Sequence, residues 1–153
     1  MNNSDTSQEN DTRLVFPSAF NEELTVVIIY PEDSEYDTVS AMFESSHAFL
    51  LHELRTIVID GADVNESWFT DQHLDVIQAH ELGHFYIREN SIECDNEEMC
   101  ADAMGIEILG RTGTHLSSCD LHKAVFIERY GNLDALSSND TEHILLLNKK
   151  LNK

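Results

Sequence analysis

The segment His80-Glu81-Leu82-Gly83-His84 sets two imidazoles four positions apart, with a carboxylate directly after the first. On a helix, positions i and i+4 share a face, so both rings can reach one metal ion. Glu81 sits one step round, within reach of a water on that ion, where a carboxylate serves as a general base. Composition alone yields roughly 0.04 accidental strings of this form in a chain of this length. One partial copy exists, His52-Glu53-Leu54, in which Thr56 stands where the second histidine belongs. His52 is therefore read as a surface or packing residue.

A catalytic zinc takes three protein ligands and a water, so one ligand is still missing. Glu98, in Glu98-Met99-Cys100-Ala101-Asp102, is the candidate. It lies far enough beyond His84 for the chain to reverse and lay a second helix beside the first. Asp102 follows one turn later on the same face. A carboxylate there can accept the spare ring N–H of a ligand histidine, His80 by preference, and so fix its tautomer. Two rival readings stand beside this one. Glu97 is the neighbouring carboxylate, and Glu98 itself fits the N3 position of a capping arrangement with Asp95. Only Glu98 has the aspartate one turn on. Gly83 in mid-helix costs ~1 kcal/mol relative to alanine, which points to a backbone packed closely against it. The small residues Ala101 and Gly105 suit such an approach.

HELGH followed by ExxAD resembles the gluzincin clan of zinc metallopeptidases. The continuation from Ala101 through Leu109 is similar to the second motif of compact members, the ImmA/IrrE-like peptidases and the minigluzincins. The resemblance covers about residues 70–110 and is strong over the two motifs. It implies one zinc per chain at His80, His84 and Glu98, Glu81 as the catalytic base, and a peptide or protein as substrate. It also implies a zincin-like fold, with a short twisted sheet packed on an active-site helix and a glutamate-bearing helix. In that scheme a downstream His or Tyr stabilises the oxyanion, and His115, His122, His143 and Tyr130 all follow the glutamate helix. A metzincin would place glycine and histidine where Ile87 and Asn90 stand. A non-proteolytic zinc-binding regulatory or interaction module on the same fold is the alternative.

The elements that must position these groups can be read from periodicity. Residues 24–30 (LTVVIIY) and 56–59 read as strands, the second stopped by Asp60-Gly61. Residues 36–51 have helix-like apolar spacing. A helix is expected over about residues 71–88, with Thr70 as N-cap, and another over about 96–109, closed by Gly110 as a C′ residue. Residues 120–129 and 141–151 are two further helical segments. Strands first and helices later describe an α+β plan. Residues 56–60 are also the expected edge strand for aligning a substrate by strand addition.

Composition narrows the function classes. The 153 residues suit one domain over 13–153, preceded by a disordered acidic tail at 1–12. With 9 Lys+Arg against 29 Asp+Glu, the net charge is −20, and no basic patch exists to neutralise phosphates. Nucleic-acid binding is thus disfavoured; the charge serves solubility or draws cationic substrates. No apolar run is long enough to span a bilayer, and the N-terminus lacks a signal peptide's pattern, so a cytoplasmic location is expected. Cys94, Cys100 and Cys119 form an odd set without CxxC spacing and read as reduced thiols.

Overall fold

The computed structural model describes residues 12–43, 46–111 and 113–152. The expected tail at 1–12 lies outside the described residues except for Thr12, whose carbonyl accepts the Tyr30 N–H at 3.0 Å. Among the described residues the protein is α+β, with six α-helices and one four-stranded mixed sheet. The chain divides into two compact units, one ending at Thr70 and one beginning at Asp71.

The first unit holds strands β1 (Arg13–Pro17), β2 (Thr25–Ile29), β3 (Ala48–Leu51) and β4 (Thr56–Asp60), with short helices α1 (Tyr36–Ser40) and α2 (Gly61–Val64). The sheet order is β1-β2-β4-β3, parallel between β2 and β4 and antiparallel elsewhere. β-Branched residues dominate the inner pair, where Val26 registers with Ile57 and Ile28 with Ile59, all four buried. Ile29 and Val58 also lie buried, in a cluster with Phe43 and the flanking Tyr36, Val39, Phe49 and Leu51. Inner strands of this kind are apolar on both faces, and the short continuous runs of the sequence follow from that.

Two expectations are corrected here. The helix expected over 36–51 stops at Ser40, and Ala48–Leu51 is a strand paired with β4. A short apolar run satisfies either period, and the ladder to β4 decides it. Phe43 and Phe49 still meet, with ring centroids 5.1 Å apart. β4 is also no edge strand, because it pairs with β2 on one side and β3 on the other. Its backbone groups are engaged on both sides, so it cannot receive a substrate strand.

Near β1, Arg13 makes a two-pronged contact with the buried carboxylate of Asp33, at 2.9 and 2.8 Å. The guanidinium hydrogen bonds hold the Asp33 carboxyl below its usual value, against the opposing effect of burial. A depressed folded-state value means stability that is present above the unfolded value and lost as pH falls through the folded one.

The second unit is helical: α3 (Asp71–Glu89), α4 (Glu97–Gly110), α5 (Leu116–Tyr130) and α6 (Ser138–Leu151). α3 ends in a Schellman turn. The Ile92 N–H bonds the Ile87 carbonyl and the Ser91 N–H bonds that of Arg88, at 3.0 and 3.1 Å. Ser91 takes the left-handed conformation, φ 53°, that glycine usually supplies. α4 starts at an Asn96 cap, whose Oδ1 accepts the Met99 N–H at 3.1 Å. Gly110 is the last residue of α4 rather than a C′ residue, since Arg111 continues with helical dihedrals. Ser137 caps α6 by accepting the Asp140 N–H. Leu82, Phe85, Ile87, Met104, Leu109, Phe126 and Leu147 are buried in this unit.

The cysteines also depart from the expected three thiols. Cys94 and Cys100 are joined as a disulfide, while Cys119 is free and buried. Neither residue belongs to a spaced motif. The reversal into the first turn of α4 brings their Cα atoms to 6.7 Å, inside the range a disulfide can bridge. Among the described residues no helix is long and apolar enough to cross a membrane.

α3 and α4 touch through backbone. A Cβ added at Gly83 would collide with the Ala101 carbonyl oxygen and lie 2.9 Å from its Cα. Neither atom can swing away. Gly83→Ala is therefore expected to destabilise the protein by about 1–3 kcal/mol, despite its better helix propensity; a denaturation midpoint equal to or above that of the wild type contradicts the close approach. For Asp33, the stability difference between wild type and Asp33→Asn should be constant at neutral pH. It should close as pH falls below the ordinary carboxylate value near 3.8, as read by thermal melts across an acid series.

Candidate metal centre

α3 carries His80 and His84 one turn apart, with Glu81 next to the first, and the Gly83–Ala101 contact brings α4 alongside. The two imidazoles lie with centroids 4.8 Å apart and planes at 85°. Between their outer nitrogens stands the Glu98 carboxylate. Oε1 is 3.2 Å from His80 Nε2, and Oε2 is 2.9 Å from His84 Nε2. One ligand atom from each of His80, His84 and Glu98 lies within 4.8 Å of the others, close enough for a single cation to be shared.

The inner nitrogens are held separately. His80 Nδ1–H donates to Asp102 Oδ1 at 2.7 Å. His84 Nδ1–H donates to Glu97 Oε2 at 2.6 Å, and Arg88 Nε–H donates to the same oxygen at 3.0 Å. Glu97, a rival for the ligand in the sequence, thus fixes the ring of His84 instead. The capping rival also falls away. Asn96, not Asp95, caps α4, and the Asp95 carboxylate accepts from Ser137 and Asn139.

Asp102 is the buried junction of the site, with 1% of its surface exposed. Besides His80 it accepts from His122 Nε2–H at 3.1 Å, Arg129 Nη1–H at 3.1 Å and the Tyr130 hydroxyl at 3.2 Å. His122 fits because Gly105 has no side chain; a Cβ there would press on the imidazole. His122 and Tyr130, two of the four candidates for oxyanion stabilisation, are therefore turned onto Asp102. His115 lies instead beside Asp75, at 3.4 Å, and His143 lines a groove with Asn90–Asp95. The sequence singles out His122 and Tyr130 of α5 but not their place on Asp102, and it gives no sign of Arg129 there. The partial copy at His52–Leu54 forms a 3-10 turn in the first unit.

The charges respond to this crowding. Burial alone would lower the His80 imidazolium, but hydrogen bonds to Asp102 and Glu98 and the charge of Glu81 push it up to about 10. Hydrogen bonds from His80 and His84 hold the Glu98 carboxyl far below the usual range. Burial works to raise Asp102, yet its bonds from His122 and His80 hold it low as well. Glu81, with its side chain 9% exposed, is pushed up by burial against the pull of both imidazoles. Its Oε2 lies 4.0 Å from His80 Nε2.

Among the described residues, three groups of side chains come close enough to hold an ion. The set His80, Asp102 and His122 already has the Arg129 guanidinium on its carboxylate, which opposes a second cation. The set Cys94, Cys100 and Asp140 has its sulfurs joined, and Asp140 accepts the Asp95 and Asn96 N–H groups at 2.7 and 3.1 Å. His80, His84 and Glu98 remain. Two nitrogen donors and a carboxylate face one point, and Glu98 is 66% exposed, so that side stays open to solvent.

No protein-family model matches the sequence, no curated protein is significantly similar to it, and no solved structure matches the fold.

Removing either holding carboxylate should lower divalent-metal affinity by roughly 10–100-fold, measured by competition with a chromophoric chelator. Glu97→Ala should do so with little change in melting temperature, because Glu97 is partly exposed. Asp102→Ala should also lower the melting temperature, since it strands the buried His122. Unchanged metal affinity in Glu97→Ala would remove its assigned role.

Proposed function

We propose that this protein is a zinc-dependent peptidase of zincin-like fold, with His80, His84 and Glu98 holding the metal and Glu81 acting as general base. The observation that supports this reading is the double restraint of each histidine. The Nε2 atoms converge on one carboxylate, while the Nδ1 atoms are tied back to Asp102 and Glu97. Imidazoles with their inner nitrogens so fixed present their outer lone pairs to an ion in one orientation.

The donor set favours zinc in a reactive role. Two imidazoles and one carboxylate leave a position for water, whereas structural zinc sites are closed by four protein ligands. Zinc held there supplies a Lewis acid for the scissile carbonyl and brings the acidity of water toward neutral pH. Glu81 takes a proton from the attacking water and passes it to the departing amine nitrogen. Its neighbours on α3, Leu82 and Phe85, are buried, which limits bulk water behind the carboxylate.

Purified protein is expected to carry one zinc per chain by elemental analysis. Glu81→Gln should retain that zinc and lose cleavage of a denatured protein or peptide library by at least about 100-fold. Zinc retained with no cleavage by the wild type would favour the non-proteolytic zinc module. Cleavage retained by Glu81→Gln would overturn the mechanism, and absence of zinc would overturn both readings.

A further inference from the structure

The Cys94–Cys100 disulfide brackets the residues that enter α4 and hold the metal centre: Asn96, which caps the helix, Glu97, which holds His84, and Glu98, the carboxylate ligand. We propose that this disulfide is a redox switch on the metal centre, oxidised for tight metal binding and reduced for weak binding. The inference rests on the metal reading of His80, His84 and Glu98, and adds regulation to it.

Glu98 and Glu97 act from the first turn of α4, where the helix has fewest internal hydrogen bonds. The turn before them is pinned from two directions. Asp140, 1% exposed, accepts the N–H groups of Asp95 and Asn96, and Ser137 Oγ–H donates to Asp95 Oδ2 at 2.6 Å. The disulfide is the covalent pin, tying Cys94 outside the helix to the fully buried Cys100 within it. Within the turn itself, the Asn96 cap holds the Met99 N–H at 3.1 Å, and the disulfide closes the same stretch covalently. Loss of the bond lets residues 94–99 sample more conformations, and the oriented pair Glu97–Glu98 loses preorganisation.

The bond is also reachable. Cys94 is partly exposed and lines the groove formed with Asn90, Ser91, Asn139 and His143. A thiolate from a small-molecule or protein dithiol attacks Cys94 Sγ, forming a mixed disulfide and releasing the Cys100 thiolate, which takes a proton. The second thiol of the reductant then attacks its own mixed-disulfide sulfur and releases Cys94 as a thiol. The dithiol leaves as a disulfide, two electrons having reduced the Cys94–Cys100 bond.

The test measures zinc dissociation constants by chelator competition for oxidised wild type, wild type reduced with a dithiol, and Cys94→Ala/Cys100→Ala. Hydrogen exchange of the Met99 and Cys100 amides is followed in parallel. Weaker binding by roughly ten-fold or more in both the reduced and the double-alanine protein, with faster exchange at those amides, is the expected result. Affinities within about two-fold across all three would overturn the switch. So would a double-alanine protein that binds as tightly as the oxidised one, because the effect of reduction would then come from thiols competing for zinc. If the double variant fails to fold, unchanged exchange in reduced wild type overturns the switch on its own. Absence of zinc from the oxidised protein would instead defeat the metal reading itself, separately from the redox one.

Discussion

A carboxylate buried in the helical unit organises everything around it. Asp102 is almost wholly removed from water, a situation that costs several kcal/mol unless the charge is met by donors. It is met from two helices: His80 from α3, and His122, Arg129 and Tyr130 from α5, all converging on α4. The need to satisfy one charge therefore dictates the ring orientation of His80, the burial of a histidine in α5, and the position of that helix's end. Take away the charge and these groups lose a common reason for their arrangement.

Around this junction the acidic residues divide the labour. Glu97 and Glu98 are consecutive, and consecutive helical residues point ~100° apart. That divergence lets one carboxylate take the inner nitrogen of His84 while the other faces its outer nitrogen. Arg88 shares the Glu97 oxygen, so this partly exposed carboxylate is also met by a cation. Crowding of this kind favours the proton on His80 and the charge on Glu98.

Much of the candidate site was legible in the sequence because helix geometry is so regular. The i, i+4 spacing of His80 and His84, and the one-turn offset from Glu98 to Asp102, translate directly into shared faces. Less regular features were hidden. The turn after α3 is closed by Ser91 in a conformation normally advertised by glycine, so it gave no letter to read. The duty of Glu97 depends on the rotation of α4, which periodicity does not fix. His122 and Arg129 lie far along the chain and meet Asp102 only through tertiary packing. In the sheet unit, Phe49 and Leu50 fit a helical stripe as well as a strand, and only pairing with β4 distinguishes the two. The Cys94–Cys100 bond was obscured because two cysteines without a familiar spacing carry no pattern.

The contact between Gly83 and Ala101 has a meaning for descent as well as for stability. Every other amino acid brings a Cβ, and every Cβ at this position meets main chain rather than a movable side chain. Any single-base change in a glycine codon that alters the residue introduces that atom or ends the chain. The position therefore has no neutral neighbours. Lineages that keep α3 and α4 at this separation have no gradual route away from glycine.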